Sequence, residues 1–256
     1  MAFRGMLANK TRTLLTMLGI VVGVGSVIVL IAFSEGTRTE MLERFERLGA
    51  KRMGVWLNSR HSAVPVPSGE HFVYDDIVAI REQVPVISRV VPVLEERGTV
   101  RYGNTTLEEH QLVASEPEYF AIANRTFDFG QGFTNEHNIL QERVCVLGSN
   151  TKYDLFFEAE AVGEYVLIEG KRFLVIGVMA EQGGNRWQRN DDQVIIPYYT
   201  GRDRMSTFSD RMEIAMEVSD TKYSELAEQQ VREVLHLQHP LIPTTEDPDE
   251  DPIDVW

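Results

Sequence analysis

The residues of this chain best suited to metal chemistry are two histidines near its end. His236 and His239 stand three positions apart, a spacing that places both imidazoles on one face of a helix. A zinc site needs a third or fourth ligand, and the sequence offers none nearby. We therefore predict a solvated helix end here, with no metal ion and no other cofactor.

The remaining reactive side chains also favour structural roles. Cys145 is the one cysteine, and it lies in a short apolar run without the exposure or the basic partner that a reactive thiolate needs. We predict that it is a core residue. The carboxylate pairs Glu108-Glu109 and Asp191-Asp192 are expected in solvated turns and loops, because general acid–base catalysis needs a pocket that the sequence does not show.

Motifs that bind nucleotides or activate a nucleophile are absent from the sequence. It has no Gly-x-x-x-x-Gly-Lys-Ser/Thr loop to hold phosphates, no Gly-x-Ser-x-Gly elbow and no His-Glu-x-x-His pair. The chain is therefore not expected to hydrolyse ATP by that route or to be an enzyme. The alternative is a membrane-anchored periplasmic enzyme. A cleft with convergent acid, base or metal groups in the structure would favour it.

The most distinctive segment is an apolar stretch near the N-terminus. No charged residue occurs between Arg12 and Glu35, and Leu14–Phe33 as a helix would measure about 30 Å, the thickness of a bilayer core. A cleaved signal peptide would have a shorter apolar region of about 7–15 residues. The sequence therefore predicts one uncleaved transmembrane helix in a lipid bilayer.

The charges that precede this span predict its orientation. Arg4, Lys10 and Arg12 lie before it without an acidic residue among them. By the positive-inside rule the N-terminus is then cytoplasmic and the domain after the span is extracytoplasmic.

Small residues within the span predict contacts with other helices. Gly19 and Gly23 have the small-xxx-small spacing that lets membrane helices approach closely, and Gly25 and Ser26 adjoin them. We expect this face to pack against further membrane helices, because a simple tether would not need it.

Net charge limits the possible partners. The chain has 25 basic and 39 acidic residues, a net charge of −14. Such an acidic surface repels phosphate backbones, so no nucleic acid is expected as a partner.

Periodicity and turn residues predict an α+β domain after the span. A helix at Glu35–Leu48 leads into a β-α-β-β unit, and a strand followed by a helix repeats part of that pattern near the end. A β-rich insertion, at about residues 115–200, interrupts this lobe. The predicted elements are a strand at Lys51–Asn58, a helix at Tyr74–Val84, a hairpin at Val86–Ala114 that turns at Tyr102-Gly103-Asn104, a short helix near Glu116–Ile122, strands at Arg143–Leu147, Tyr165–Glu169, Phe173–Ala180, Gln193–Pro197 and Arg211–Val218, and a helix at Tyr223–Leu237.

Four regions follow from this pattern, the third of which contains the insertion. They are a cytoplasmic N-terminus (1–13), the transmembrane helix (14–33), the outer domain (34–240) with its insertion (115–200), and an acidic, proline-containing tail (241–256) that is expected to be extended or disordered.

Motifs spread along the chain resemble one family in the same order. They are Asn9–Val24, Ser34-Glu-Gly36, Leu48-Gly-Ala50, Gly130-Gln-Gly-Phe133, Val144–Gly148, Leu155-Phe156, Val162-Gly163 and Phe173–Val178. Together they are similar to the MacB/FtsX-type ABC transporter permeases with their MacB-like periplasmic core domain. The resemblance covers about residues 1–240. One departure is Gln131, where the family commonly has arginine, and we expect it to affect a local turn only.

The resemblance implies a non-ATPase permease subunit in the bacterial cytoplasmic membrane, with its outer domain in the periplasm. Its implied partners are a separate ABC ATPase subunit, a second permease copy or homologue and a periplasmic adaptor. ATP-driven closure would pass mechanically through the helices to the outer domain. Family members have four membrane helices, with this domain between the first and second, so we expect a fragment, half of a split permease or a truncated product. A free-standing membrane-anchored binding or adaptor module without ATP coupling is the alternative.

Overall fold

The computed structural model describes residues 15, 17–28, 51–57, 65–182, 191–245 and 250–255. The chain divides into two compact units, Met1–Ala50 and Lys51–Trp256. In the first unit, residues 15 and 17–28 are helical. Across the described ranges, no helix combines the length and the apolar character needed to cross a membrane. The rest of the predicted span Leu14–Phe33, and the predicted helix Glu35–Leu48, lie outside the described residues.

The second unit, Lys51–Trp256, is called the outer domain from here on. It consists of strands covered by helices. Its strands are β1 Arg52–Leu57, β2 Ile87–Tyr102, β3 Thr105–Ser115, β4 Phe127–Gly130, β5 Val144–Leu147, β6 Tyr165–Ile168, β7 Lys171–Met179, β8 Gln193–Pro197, β9 Glu213–Val218 and β10 Ile253–Val255. Its α-helices are α1 Tyr74–Gln83, α2 Tyr119–Ile122, α3 Asn135–Ile139, α4 Ser149–Phe156, α5 Tyr198–Arg204 and α6 Ser224–Gln238, and a 3-10 turn at Thr221–Tyr223 precedes α6.

All ten of these strands belong to one mixed sheet, in the order β10-β1-β9-β2-β3-β8-β5-β7-β4, while β6 pairs with β2 and β7. The parallel pairing of β3 with β8, from Gln111 opposite Gln193 to Ser115 opposite Pro197, joins the two halves. The predicted α+β class and β-α-β-β unit are thus present. The predicted insertion, however, extends the same sheet instead of forming a lobe of its own. It carries α3, α4 and the start of α5, which the prediction lacked.

Both faces of the sheet are covered, as the alternation along β2 shows. Val90 and Leu94 belong to a large cluster of buried side chains, whereas Val91 and Val93 belong to a smaller cluster that includes Phe120 on α2. Successive side chains of a strand point to opposite faces. A two-sided core explains the continuous apolar run Val90–Leu94 within β2.

Helix α6 covers the larger cluster with a stripe at helical spacing. Val231, Val234 and Leu235 are buried as the periodicity predicted, but Leu226 is 42% exposed and Ala227 is buried in its place. Burial of each such aliphatic side chain stabilises the folded state by about 1.5–3 kcal/mol. The buried stripe therefore holds the helix on the sheet.

Two tight hairpin turns confirm the turn chemistry read from the sequence. Tyr102 pairs with Thr105 across β2 and β3, and Ile168 pairs with Lys171 across β6 and β7. Each two-residue loop contains a glycine at positive φ, +56° at Gly103 and +74° at Gly170. Such loops favour residues that tolerate positive φ, so these glycines set the register of both hairpins.

The tail contains a strand of the sheet. Ile253–Val255 forms β10 and pairs antiparallel with β1, so this part of the tail is extended as predicted but is ordered and paired. Ile253 is fully buried and Val255 is 8% exposed. The sequence does not indicate this short strand, because prolines and acidic residues outnumber the apolar residues around it.

Candidate functional site

The glycine face of the N-terminal helix is open in the described part of the chain. A Cβ added at Gly19, Gly23 or Gly25 would meet no atom within 4 Å. The Ser26 hydroxyl donates to the Gly23 carbonyl oxygen at 2.9 Å, so its polar group is satisfied within its own helix. Small side chains at Gly19, Gly23, Gly25 and Ser26 leave the groove that close helix packing requires. Contact of this groove with another helix stays a prediction.

Large apolar side chains on this helix are also exposed, by 54–68% for Leu15, Met17, Leu18, Ile20, Val21, Val22, Val24, Val27 and Ile28. Exposure of so continuous an apolar surface marks a region that lipid or other protein normally covers. Arg4, Lys10 and Arg12 lie outside the described residues, so the predicted orientation rests on sequence.

The first and last strands of the outer domain lie side by side. Val55 is opposite Val255 and Leu57 is opposite Ile253, while the other edge of β1 pairs with β9 from Arg52 to Val55. Within the tail, the Ile253 N–H donates to the Asp251 carboxylate at 2.8 Å. The chain therefore begins and completes the described domain at the same edge of the sheet.

The two histidines considered as metal ligands are bound to carboxylates instead. His236 Nε2 lies 2.9 Å from Asp251 Oδ2, and His239 lies 2.9 Å from Glu70 through Nδ1 and 2.9 Å from Asp76 through Nε2. No group of three or more potential metal ligands occurs among the described residues. The predicted solvated helix end is wrong for His239, which is 7% exposed.

A cleft of about 200 Å³ lies beside the start of α1. Next to it the Arg202 guanidinium stacks over the rings of Tyr198 and Tyr199, 5.5 and 4.8 Å from their centroids. The Tyr74 hydroxyl donates to Glu116 at 2.8 Å; burial and this carboxylate raise the pKa of Tyr74. The cleft is smaller than the roughly 300–1,000 Å³ of typical small-molecule sites, and its Tyr74 and Arg202 side chains already bind Glu116 and Asp203.

The other candidate reactive residues have structural roles. Cys145 is fully buried as predicted, and burial raises the pKa of its thiol. Asp191 corrects a prediction, because it is 8% exposed and pairs with the buried Arg125 at 3.4 Å instead of lying in solvent. Burial lowers the pKa of Arg125, against the opposing charges of Tyr119 and Asp191. This ion pair joins the residues just before β8 to the segment after α2.

The described outer unit is thus a mixed-sheet domain whose defining contacts are structural. The sequence profile of the MacB-like periplasmic core domain matches residues 13–234. The chain belongs to this family, as the motifs from Asn9 to Phe173 had suggested.

Relatives agree with this assignment. The macrolide export ATP-binding/permease protein MacB of Wolinella succinogenes is 31% identical over 246 residues, which cover 93% of this chain and 37% of that protein. The pyoverdine export ATP-binding/permease protein PvdT of Pseudomonas syringae is 31% identical over 241 residues, covering 93% and 36%. The chain therefore spans little more than a third of the length of these relatives.

Solved structures share the fold. The periplasmic region of MacB from Actinobacillus actinomycetemcomitans superimposes with a TM-score of 0.68 at 20% identity, covering 85% of this chain and 93% of that one. The extracellular domain of the ABC-type transporter YknZ from Gram-positive bacteria gives a TM-score of 0.60 at 16% identity, covering 74% and 95%. The α+β fold expected from the resemblance is that of these domains.

Sequence reasoning missed the polar contacts that hold the domain ends. The partners of His239 lie 169 and 163 positions away, at Glu70 and Asp76. The available signal was Asp76 in the first turn of a predicted helix, where a carboxylate accepts backbone hydrogen bonds; it accepts one from Val73 N–H at 2.7 Å. Nothing in the sequence pointed from that carboxylate to a histidine so far along the chain.

Proposed function

We propose that this chain is the permease portion, or its N-terminal part, of an ABC-type exporter or mechanotransmission complex in the bacterial cytoplasmic membrane. Leu14–Phe33 crosses the bilayer once with the N-terminus in the cytoplasm, and the outer domain lies in the periplasm. ATP is hydrolysed either by a region of the full-length protein beyond these residues or by a partner subunit. The energy reaches the outer domain as movement.

The pairing of β1 with β10 carries this proposal. The apolar helix precedes β1 in the sequence, and β1 is hydrogen-bonded on one side to β9 and on the other to β10. A displacement applied to β1 is therefore applied to both neighbours. Because Val55 and Ile253 are buried in the same core, movement of this edge carries the packed sheet with it.

Helix partners in the membrane would supply that displacement. The open faces at Gly19 and Gly23 suit close approach of another helix. We propose that they contact membrane helices of the same complex, including a second permease copy. Family membership and the names of the relatives, which join ATP binding to a permease, support coupling to ATP hydrolysis.

Purification of the complex from the native membrane tests this function. The chain, tagged at its own locus, is extracted in mild detergent, and Mg-ATP hydrolysis is measured in the purified material. We expect turnover in the wild type and at least a tenfold lower yield of the active complex in a Gly19→Leu/Gly23→Leu variant. Val21→Leu is the matched control, because it adds bulk to another face of the same helix.

Cellular export gives the second measurement. Relatives are named for macrolide and pyoverdine export, so susceptibility to macrolides and secretion of pyoverdine are compared between the wild type and a deletion strain. A chain that purifies without any ATP-hydrolysing component, and whose loss changes neither efflux nor cell-wall phenotypes, contradicts the proposal. That outcome would favour the anchored adaptor module.

A further inference from the structure

The end of α6 is joined to two distant parts of the outer domain through its histidines. His239 contacts Glu70, in the segment before α1, and Asp76, in the first turn of α1. One turn earlier, His236 contacts Asp251 just before β10. Side chains at the His239 contact are largely withdrawn from water, with 8% exposure for His239, 19% for Glu70 and 1% for Asp76.

When both carboxylates are ionised, the geometry at His239 requires a charged ring. Both ring nitrogens face carboxylate oxygens at 2.9 Å. Ionised carboxylates only accept hydrogen bonds, and a neutral imidazole has one N–H to donate. Both contacts are hydrogen bonds only when His239 is an imidazolium that donates to Glu70 and Asp76 together.

The surroundings of His239 agree with that protonation state. Burial, the largest effect, disfavours the charge, but the hydrogen bonds and charges of Asp76 and Glu70 together outweigh it and raise the pKa of His239. The ring of Phe72 packs edge-on against the imidazole, with 5.7 Å between centroids. Among the described residues, Asp76 and Glu70 are the charged groups that shift the pKa of His239.

The segment held by His239 forms one wall of the cleft beside α1. His71, Phe72, Val73 and Tyr74 all line that cleft. Phe72 also forms an isolated antiparallel β-bridge with Met212, another lining residue. Glu70 and Asp76 flank this wall on both sides. The two bonds to His239 therefore attach both ends of the wall to α6.

We propose that protonated His239 is a pH-dependent clamp that fixes the 70–76 wall of the cleft against α6, and that loss of this proton releases the wall. This regulatory device goes beyond the proposed function. A raised folded-state pKa means that the clamp is fully formed below the ordinary histidine pKa of about 6.5 and is lost as the pH rises through the folded value. The wall is thus held at lower pH and loosens as the pH rises through the folded-state pKa of His239.

Hydrogen exchange of the full chain in nanodiscs, measured between pH 6 and pH 9 and corrected for intrinsic exchange, tests the clamp. In the wild type we expect protection of residues 70–76 to fall about tenfold across this range, since bonds to charged groups of this kind are lost. His239→Gln should show the low protection at every pH. His137→Gln, on α3, replaces a histidine that does not contact Glu70 or Asp76 and should keep the wild-type pH dependence.

A second variant keeps the test decisive if His239→Gln does not fold. Glu70→Gln removes one negative partner and should move the midpoint of the pH dependence to lower pH, and NMR titration of the His239 ring should show the same shift. Protection that is independent of pH in the wild type, or a midpoint unchanged by Glu70→Gln, would overturn the proposal.

Discussion

Replacing Ile253 by alanine tests whether the tail strand is part of the core. Ile253 is fully buried, pairs with Leu57 across β1 and belongs to the larger cluster. The change removes three carbon groups worth about 0.8 kcal/mol each, or about 2.4 kcal/mol. A residual cavity raises the expected loss in free energy of unfolding to about 3 kcal/mol.

Two matched variants define the scale. Ile214→Ala makes the same change in the inner strand β9, where the side chain is 1% exposed, and Leu241→Ala removes a side chain that is 67% exposed. We expect Ile214→Ala to cost at least as much as Ile253→Ala, and Leu241→Ala to cost less than about 0.5 kcal/mol. Ile253 lies in a terminal strand, which can detach locally, so its loss is limited by the docking energy of that strand.

Urea-dependent pulse proteolysis of the full chain in detergent measures these differences. Hydrogen exchange in β1 and β10 shows in addition whether the strand detaches before the domain unfolds. If Ile253→Ala and Leu241→Ala agree within about 0.5 kcal/mol, the strand is not part of the core and our reasoning about the sheet edge is wrong.

Three further outcomes follow from buried features. Gly177→Ala would place a Cβ 2.4 Å from a backbone oxygen of the turn before α3, so we expect a loss of about 1–3 kcal/mol, seen as a lower melting temperature; an unchanged melt would contradict this close approach. Cys145 should resist thiol reagents in the folded chain and react fully in urea, and rapid native labelling would show that it is accessible. Asp191→Ala leaves the Arg125 charge buried and should cost about 3–5 kcal/mol, whereas Asp192→Ala should cost far less in the same denaturation experiment.

Local signals in the sequence predicted much of the sheet. Glycine at the tips of two hairpins and β-branched runs beside them located β2, β3, β6 and β7, because two-residue turns and strand propensity are properties of adjacent residues. The apolar stripe of α6 is equally local. These elements appear within a few residues of their predicted bounds.

Elements that depend on distant partners were not predictable in this way. Helix α4 has few apolar residues and is buried mainly through Leu155 and Phe156 at its end, so its periodicity is weak. Strand β10 is three residues long and is defined by β1. Both become clear only when the sheet that they join is known.

The candidate site divides along the same line. Spacing alone predicts helix packing at Gly19 and Gly23, because the i, i+4 relation is contained in the sequence. The sequence predicts that His239 lies in solvent, because the carboxylates that contact it come from the other end of the domain. Charge networks between remote segments leave no periodic trace in a sequence.

The pairing of the first strand with the last two also determines when the outer domain can fold during synthesis. β1 has only β9 and β10 as partners in the described sheet, and the contact of Lys51 with Ser219 spans 168 positions. The edges of β1 must therefore remain unpaired while most of the domain is translated. Such non-local pairing slows folding and leaves strand edges open to aggregation. This domain is consequently a strong candidate for dependence on folding factors in the compartment where it emerges.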